Sequence, residues 1–295
     1  MKELKGIITA MVTPFDEHEK LDIDAAEKMA DWLIDMGING LFIAGTNGEF
    51  NVMDDDEIVQ LTAAIHEVVA DRVPLITGGG KNGTLQTIRL VNQLQKAGAD
   101  YVSIVTPYYQ KITQQETINH YKTIARATSA QLILYNIPSL TGNPIDPESL
   151  ATLTEVDNIV AIKDSGGDFE IQKKYIEVTK NTHVNVLNGS DSKMLVAFQA
   201  GSVGSVAATS NVIPKIEVDL YQYFLGNDLV KAQKKRDEMD MLRMILKKCP
   251  APAVMKYTLN QMGIKAGIPR RPILELDETV KSNVDKMIQY YNRVN

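Results

Sequence analysis

Eight short runs rich in β-branched and aliphatic residues recur along the first three quarters of the chain, at 7–12, 40–44, 74–77, 101–105, 131–135, 159–163, 184–187 and 204–207. Between them lie longer segments with apolar residues at three- and four-residue spacing, such as 23–36, 55–69, 85–97, 115–127 and 170–179. Alternation of this kind is the pattern of repeated β/α units, in which each crossover helix returns the chain to a parallel neighbour. Eight units suffice to close a parallel sheet on itself, so the chain is expected to fold as an α/β protein, a (β/α)8 TIM barrel. A doubly wound sheet of the dinucleotide-binding type wants a glycine fingerprint in its first β/α turn. That turn reads Val12-Thr13-Pro14-Phe15 here and fits such a sheet poorly.

Strand signals stop after about residue 225, and 228–247, 253–262 and 277–291 read as helices. The expected organisation is a catalytic barrel over 1–225 and a C-terminal helical extension over 226–295 packed on it, without a low-complexity linker. A chain of 295 residues with 44% hydrophobic content has the apolar material for a large core.

Composition narrows the function. The net charge is -6 with basic residues dispersed among acidic ones, which argues against a nucleic-acid partner. No apolar stretch approaches the length of a membrane span, and residues 1–6 lead straight into a strand-like run without a signal-peptide core. A cytoplasmic protein with no membrane partner is expected. The single cysteine, Cys249, sits between Lys248 and Pro250 and reads as an incidental or buried thiol. The four histidines, His18, His66, His120 and His183, include no pair at metal-ligand spacing, so neither a metal nor another cofactor is expected.

Barrel active sites lie at the carboxyl ends of the strands. Here these ends read Gly45-Thr46-Asn47-Gly48-Glu49, Thr106-Pro107-Tyr108-Tyr109, Tyr135-Asn136-Ile137-Pro138, Lys163-Asp164-Ser165 and Asn188-Gly189-Ser190-Asp191. Lys163 is the anomaly, because it ends the apolar run Ile159-Val160-Ala161-Ile162. Desolvation disfavours a buried ammonium, and a neutral amine is a nucleophile for a carbonyl carbon. Taken alone, such a lysine can equally snorkel to water or pair with Asp164. Its neighbours supply what Schiff-base chemistry needs. Tyr135, Thr46 and Tyr109 can pass protons along a row of hydroxyls, and the backbone N–H groups of the 45–49 turn can hold a carboxylate. A 2-keto acid is the substrate class this favours. Gly78-Gly79-Gly80 is read as close backbone packing, since no Lys-Ser or Lys-Thr pair follows it in P-loop register.

With these motifs in this order, the chain resembles the dihydrodipicolinate synthase and N-acetylneuraminate lyase superfamily of pyruvate-dependent class I aldolases. The resemblance implies that Lys163 forms the imine and that Tyr135 donates or accepts the proton beside it. Thr46 would link Tyr135 to Tyr109, which in this family reaches into the neighbouring subunit's site; a homotetramer built as a dimer of dimers is the usual assembly. Backbone groups of Thr46 and Asn47 would bind the pyruvate carboxylate, with the Val206 carbonyl near the imine. The synthases place an arginine where this chain has Leu140, and usually a second threonine where it has Asn47. The sialic acid lyases share Gly142, Ser165 and Asp191 but carry a glutamate at Ser192 and a serine at Ala208. Leu140-Thr141-Gly142 and Lys163-Asp164-Ser165 look like the 2-keto-3-deoxy sugar-acid aldolases. Reversible cleavage of such an acid to pyruvate and a hydroxyaldehyde is therefore the leading expectation, with Ser165, Gly189, Ser190, Asp191 and Thr209 as further substrate contacts. Synthase activity with aspartate semialdehyde, sialic acid lyase activity and a non-catalytic keto-acid sensor are the alternatives.

Overall fold

The computed structural model describes residues 2–294. Its eight strands close into one parallel barrel in sequence order: β1 (Gly6–Ala10), β2 (Gly40–Ile43), β3 (Leu75–Gly78), β4 (Tyr101–Val105), β5 (Gln131–Asn136), β6 (Ile159–Asp164), β7 (Asn185–Asn188) and β8 (Gly204–Ala207). The crossovers are carried by α1 (Ile23–Asp35), α2 (Asp55–Val69), α3 (Thr84–Lys96), α4 (Gln114–Ala127), a one-turn α5 (Pro138–Thr141) with α6 (Pro147–Leu153), α7 (Phe169–Thr179) and α8 (Met194–Ala200). The eighth barrel helix is α9 (Pro214–Leu225), and α10 (Leu229–Glu238), α11 (Asp240–Leu246), α12 (Ala251–Gln261) and α13 (Glu278–Val294) follow it. Helix starts obey their local chemistry. Thr113 caps α4 by accepting from Glu116 N, while the Glu116 carboxylate accepts from Thr113 N at 2.7 Å.

Two cores follow from the two-residue period of a strand. Ile8, Phe42, Ile76, Ile133, Ala161 and Leu187 fill the barrel, whereas their chain neighbours Ile7, Leu41, Leu75, Leu132 and Ile162 face the surrounding helices. Each fully buried aliphatic side chain stabilises the fold by about 1.5–3 kcal/mol. Both faces of every strand are therefore committed, which explains why the sequence shows continuous apolar runs there.

A register shift matters for function. Leu132 pairs with Ile159, but Ile133 pairs with Ala161, so β6 carries one extra residue at Val160. Beyond the bulge, Tyr135 stands opposite Lys163 and Asn136 opposite Asp164. Without it, Tyr135 would pair with Ile162, whose side chain faces the helices.

Some boundaries differ from the sequence reading. β1 stops at Ala10: Met11 N makes its last ladder bond, to Phe42 O, and Val12 N turns to the Asn211 side chain. β5 and β6 each run one residue further, where the Asn136 amide donates to the Asp164 carboxylate at 2.8 Å. The segment 228–247 is two helices, divided at the buried Met239. The short α6 and α8 are too brief for helical periodicity to show. The three glycines at the end of β3 are closely packed: a Cβ on Gly78 would lie 1.9 Å from Ala44 O, and one on Gly80 2.7 Å from Val105 N.

Candidate active site

Lys163 projects into the barrel mouth and is 5% exposed. Its Nζ lies 3.9 Å from the centre of the Tyr135 ring and 4.9 Å from that of Phe42, and the two rings meet edge to face. The Asp164 carboxylate is taken by Asn136 and by Gly166 N, so β6 does not neutralise its own lysine. Burial pushes Asp164 upward against those two bonds.

The Tyr135 hydroxyl is 3.2 Å from Thr46 Oγ1. Burial alone would raise its pKa. The Lys163 charge, then hydrogen bonds involving Thr46, Lys163 and Ser165, outweigh that and hold the phenol below its ordinary value. A phenol more acidic than usual, beside an amine, is suited to proton transfer. Gly189 keeps this region clear, since a Cβ there would fall 2.0 Å from Ser165 Oγ and 3.1 Å from Lys163 Cε. Val206 lies in the barrel core on β8. Phe42, which forms one wall beside Lys163, was not among the residues the sequence singled out; its in-phase position with Gly40 on β2 was the available signal.

The turn after β2 holds Thr46 and Asn47, both half-buried. Thr13 Oγ1 donates to Gly48 O at 2.7 Å, and a Cβ on Gly48 would meet the backbone of Ala44 at 3.0 Å. A cavity of about 310 Å³ opens beside Thr46, lined also by Phe50, Asn51, Val105, Tyr108, Ile137, Leu140 and Thr141. Leu140 stands on its rim, 63% exposed.

Tyr109 is not at the Thr46–Tyr135 pair of its own chain. It is 92% exposed with φ of 79°, a left-handed conformation that costs a bulky residue on the order of 1–3 kcal/mol. The loop is pinned on both sides of it, because the Asn143 amide donates to Pro107 O and Gln110 O, each at 2.7 Å.

The strand-seven residues divide. Ser190 Oγ lies 2.9 Å from Ser192 Oγ at the rim. The Asp191 carboxylate is occupied by Ala208 N and Thr209 N. Thr209 is wholly buried, and its hydroxyl donates to Glu217 at 2.5 Å, so its side chain is spent inside the fold rather than offered to a substrate. The physical reason is Glu217 itself: a buried carboxyl on α9, pushed well up by burial and then by Asp191, needs a donor.

Among the described residues, no cluster of three His, Cys, Asp or Glu side chains could hold a metal ion, and no helix is long and apolar enough to cross a membrane. His120 is buried and held down at about 4, with Nδ1 2.9 Å from Thr84 Oγ1.

The model of the dihydrodipicolinate synthetase family matches residues 3–291. The 4-hydroxy-tetrahydrodipicolinate synthase of Oceanobacillus iheyensis is 33% identical over 282 residues, 96% of this chain and 95% of that one. Among solved structures, dihydrodipicolinate synthase DapA-2 of Bacillus anthracis superposes with a TM-score of 0.94 at 34% identity, covering 98% of this chain and 99% of the other. The chloride-inhibited dihydrodipicolinate synthase of Acinetobacter baumannii, complexed with pyruvate, gives 0.93 at 31% identity over 97% and 98%. Similarity that runs through the barrel and its following helices alike is similarity of the whole fold, and the chain therefore belongs to the dihydrodipicolinate synthetase family, the pyruvate-dependent class I aldolases.

Proposed function

We propose that Lys163 attacks the keto carbon of pyruvate, or of a 2-keto acid that yields it, and forms a Schiff base with loss of water. The observation that carries this reading is the buried amine held between the Phe42 and Tyr135 rings, with the Tyr135 hydroxyl in turn against Thr46. Backbone groups of Thr46 and Asn47 hold the pyruvate carboxylate, and the Val206 carbonyl lies by the imine. The protonated imine withdraws electrons from the neighbouring carbon, where a bond to an aldehyde carbon forms or breaks. Tyr135 moves the proton, and Thr46 keeps the phenol oriented toward it. Tyr109 of the partner subunit completes the hydroxyl row, which makes a dimer the smallest working unit and a homotetramer the expected assembly. An exposed, strained and firmly anchored tyrosine, next in the chain to Tyr108 of the cavity lining at Thr46, supports that arrangement.

Two readings of the second substrate remain, each with its own support. The names of the relatives favour aspartate semialdehyde and the synthase reaction. The site favours an aldehyde without a carboxylate at this position, because Leu140 rims the cavity where a synthase arginine would stand, and a charge-assisted bond worth about 1.5–3 kcal/mol is missing. On that observation Leu140 supports cleavage of a 2-keto-3-deoxy sugar acid, with Ser165 and Ser190 at the sugar end, as against the synthase reaction that the relatives' names support. Borohydride reduction in the presence of pyruvate should leave an adduct on Lys163; its absence would remove the Schiff-base reading. Comparing turnover of deoxy-keto sugar acids with turnover of pyruvate plus aspartate semialdehyde decides between the two partners.

A further inference from the structure

Glu49 ends the turn that carries Thr46 and Asn47, and its side chain is gripped from the far end of the sequence. It is 2% exposed with φ of 60°. Its Oε1 lies 2.5 Å from Lys256 Nζ on α12, and its Oε2 accepts from Arg270 N at 2.8 Å. Lys256 is fully buried, donates to Ile268 O at 2.7 Å and sits 4.3 Å above the Phe15 ring. Arg270 lies 3.9 Å from the same ring and forks onto both oxygens of Glu57, at 2.8 Å each, while also reaching Val52 O. Two cations from the region after the barrel thus hold the end of the turn and the segment that follows it.

Stability does not account for this arrangement. Burying an ion pair costs several kcal/mol per charge in desolvation, and apolar residues of the same volume commonly do as well or better. Burial also pushes Lys256 down to about 8, against the raising effect of Glu49. What the pair does supply is a fixed position. The turn's own backbone bonds are long, 3.2 Å from Glu49 N to Thr46 O and 3.3 Å from Phe50 N to Gly45 O, so the turn is weakly determined from within. We infer that the Glu49–Lys256 pair is a positioning device, through which α12 sets the carboxylate-binding backbone at 46–47 and the Thr46 hydroxyl against Tyr135. Glu49 and Lys256 are positioning residues; neither touches the reacting atoms. The inference rests on the Schiff-base reading above.

The test uses the full chain and the double variant E49Q/K256M, which removes both charges together and leaves no unpaired one behind. L259A, a cavity variant on the same helix, is the control for loss of stability alone. Wild type is first reduced with borohydride and pyruvate, and an adduct on Lys163 establishes the site; no adduct would overturn both the reading and the device. With the adduct in hand, the double variant should keep a melting temperature above that of L259A. Its KM for pyruvate should rise, and its exchange of pyruvate methyl protons for deuterium should slow, each by about tenfold, the scale of a small misplacement of a positioned group. L259A should lose melting temperature but keep both kinetic values. A double variant with wild-type KM and exchange would overturn the inference. Should it fail to fold, E49Q alone, which keeps the shape and the acceptor for Arg270 N, is judged by the same two measurements.

Discussion

Replacing Thr46 with valine removes one hydroxyl and almost nothing else, which makes it a sharp probe of the Tyr135 proton step. In the resting site Thr46 Oγ1 and the Tyr135 hydroxyl are 3.2 Å apart, a neutral bond worth about 0.5–1.5 kcal/mol. As the phenol gives up its proton it becomes anionic, and a bond to a charged group is worth about 1.5–3 kcal/mol. Valine forfeits the difference, about 1–1.5 kcal/mol, in the transition state relative to the ground state. At 1.36 kcal/mol per tenfold, kcat should fall about five- to thirteenfold. The melting temperature should fall by only a few degrees, and the borohydride-trapped adduct on Lys163 should form as before. The pH profile gives an independent reading. Thr46 is one of the groups that hold the Tyr135 phenol down, so its loss raises that pKa. A rate that needs the protonated phenol declines as pH rises through it, and the declining limb should therefore move to higher pH in T46V. Steady-state kinetics from pH 6 to 11, with trapping and thermal melts in parallel, measure all of this. Unchanged kcat together with an unmoved limb would refute the assignment of Thr46 to the proton path.

Three further outcomes are expected. L140R places a guanidinium on the cavity rim, and turnover of pyruvate with aspartate semialdehyde should rise about tenfold, the lower end of a charge-assisted bond because position 140 is 63% exposed; no gain would show that residue 140 does not face the aldehyde partner. Y109F removes only the hydroxyl that the partner subunit would supply, so turnover should drop at least tenfold while the melting temperature stays near that of wild type, checked by calorimetry and kinetics on one preparation. The Glu217 carboxyl has its pKa raised in the folded state, so the native form holds its proton longer than the unfolded chain. The Glu217 contribution to stability should then decline as pH rises above about 4.5, the ordinary value, toward the raised one, so E217Q should gain on wild type across that window while the opposing rise from the depressed His120 is common to both; parallel pH dependences in thermal melts would contradict this.

The candidate catalytic layer was legible because it is local chemistry at the end of each strand. Lys163 betrayed itself as a charge closing an apolar run, and the 45–49 turn and Tyr135 by their polar atoms where the barrel's active face had to be. The same signal stood unread at Lys256, a lone charge closing the run Ala251-Pro252-Ala253-Val254-Met255, because its partner Glu49 lies some two hundred residues away and only folding brings them together. Thr209 and Asp191 illustrate the opposite error. Both carry hydroxyl or carboxylate oxygens at a strand end, yet the buried Glu217 and the backbone at Ala208 and Thr209 claim them first. Tyr109 is named by its motif, but its exposed, left-handed setting shows only in the loop clasped by Asn143.

By itself the sequence determined the eight β/α units, the doubly buried strands and which lysine is the candidate nucleophile, since periodicity and hydropathy are written residue by residue. Tertiary structure alone decided that Lys163 meets Tyr135. That outcome turns on one extra residue at Val160, which shifts β6 by a single step against β5 and so moves every following side chain to the other face. Register is a property of two strands together, and no single strand's sequence contains it.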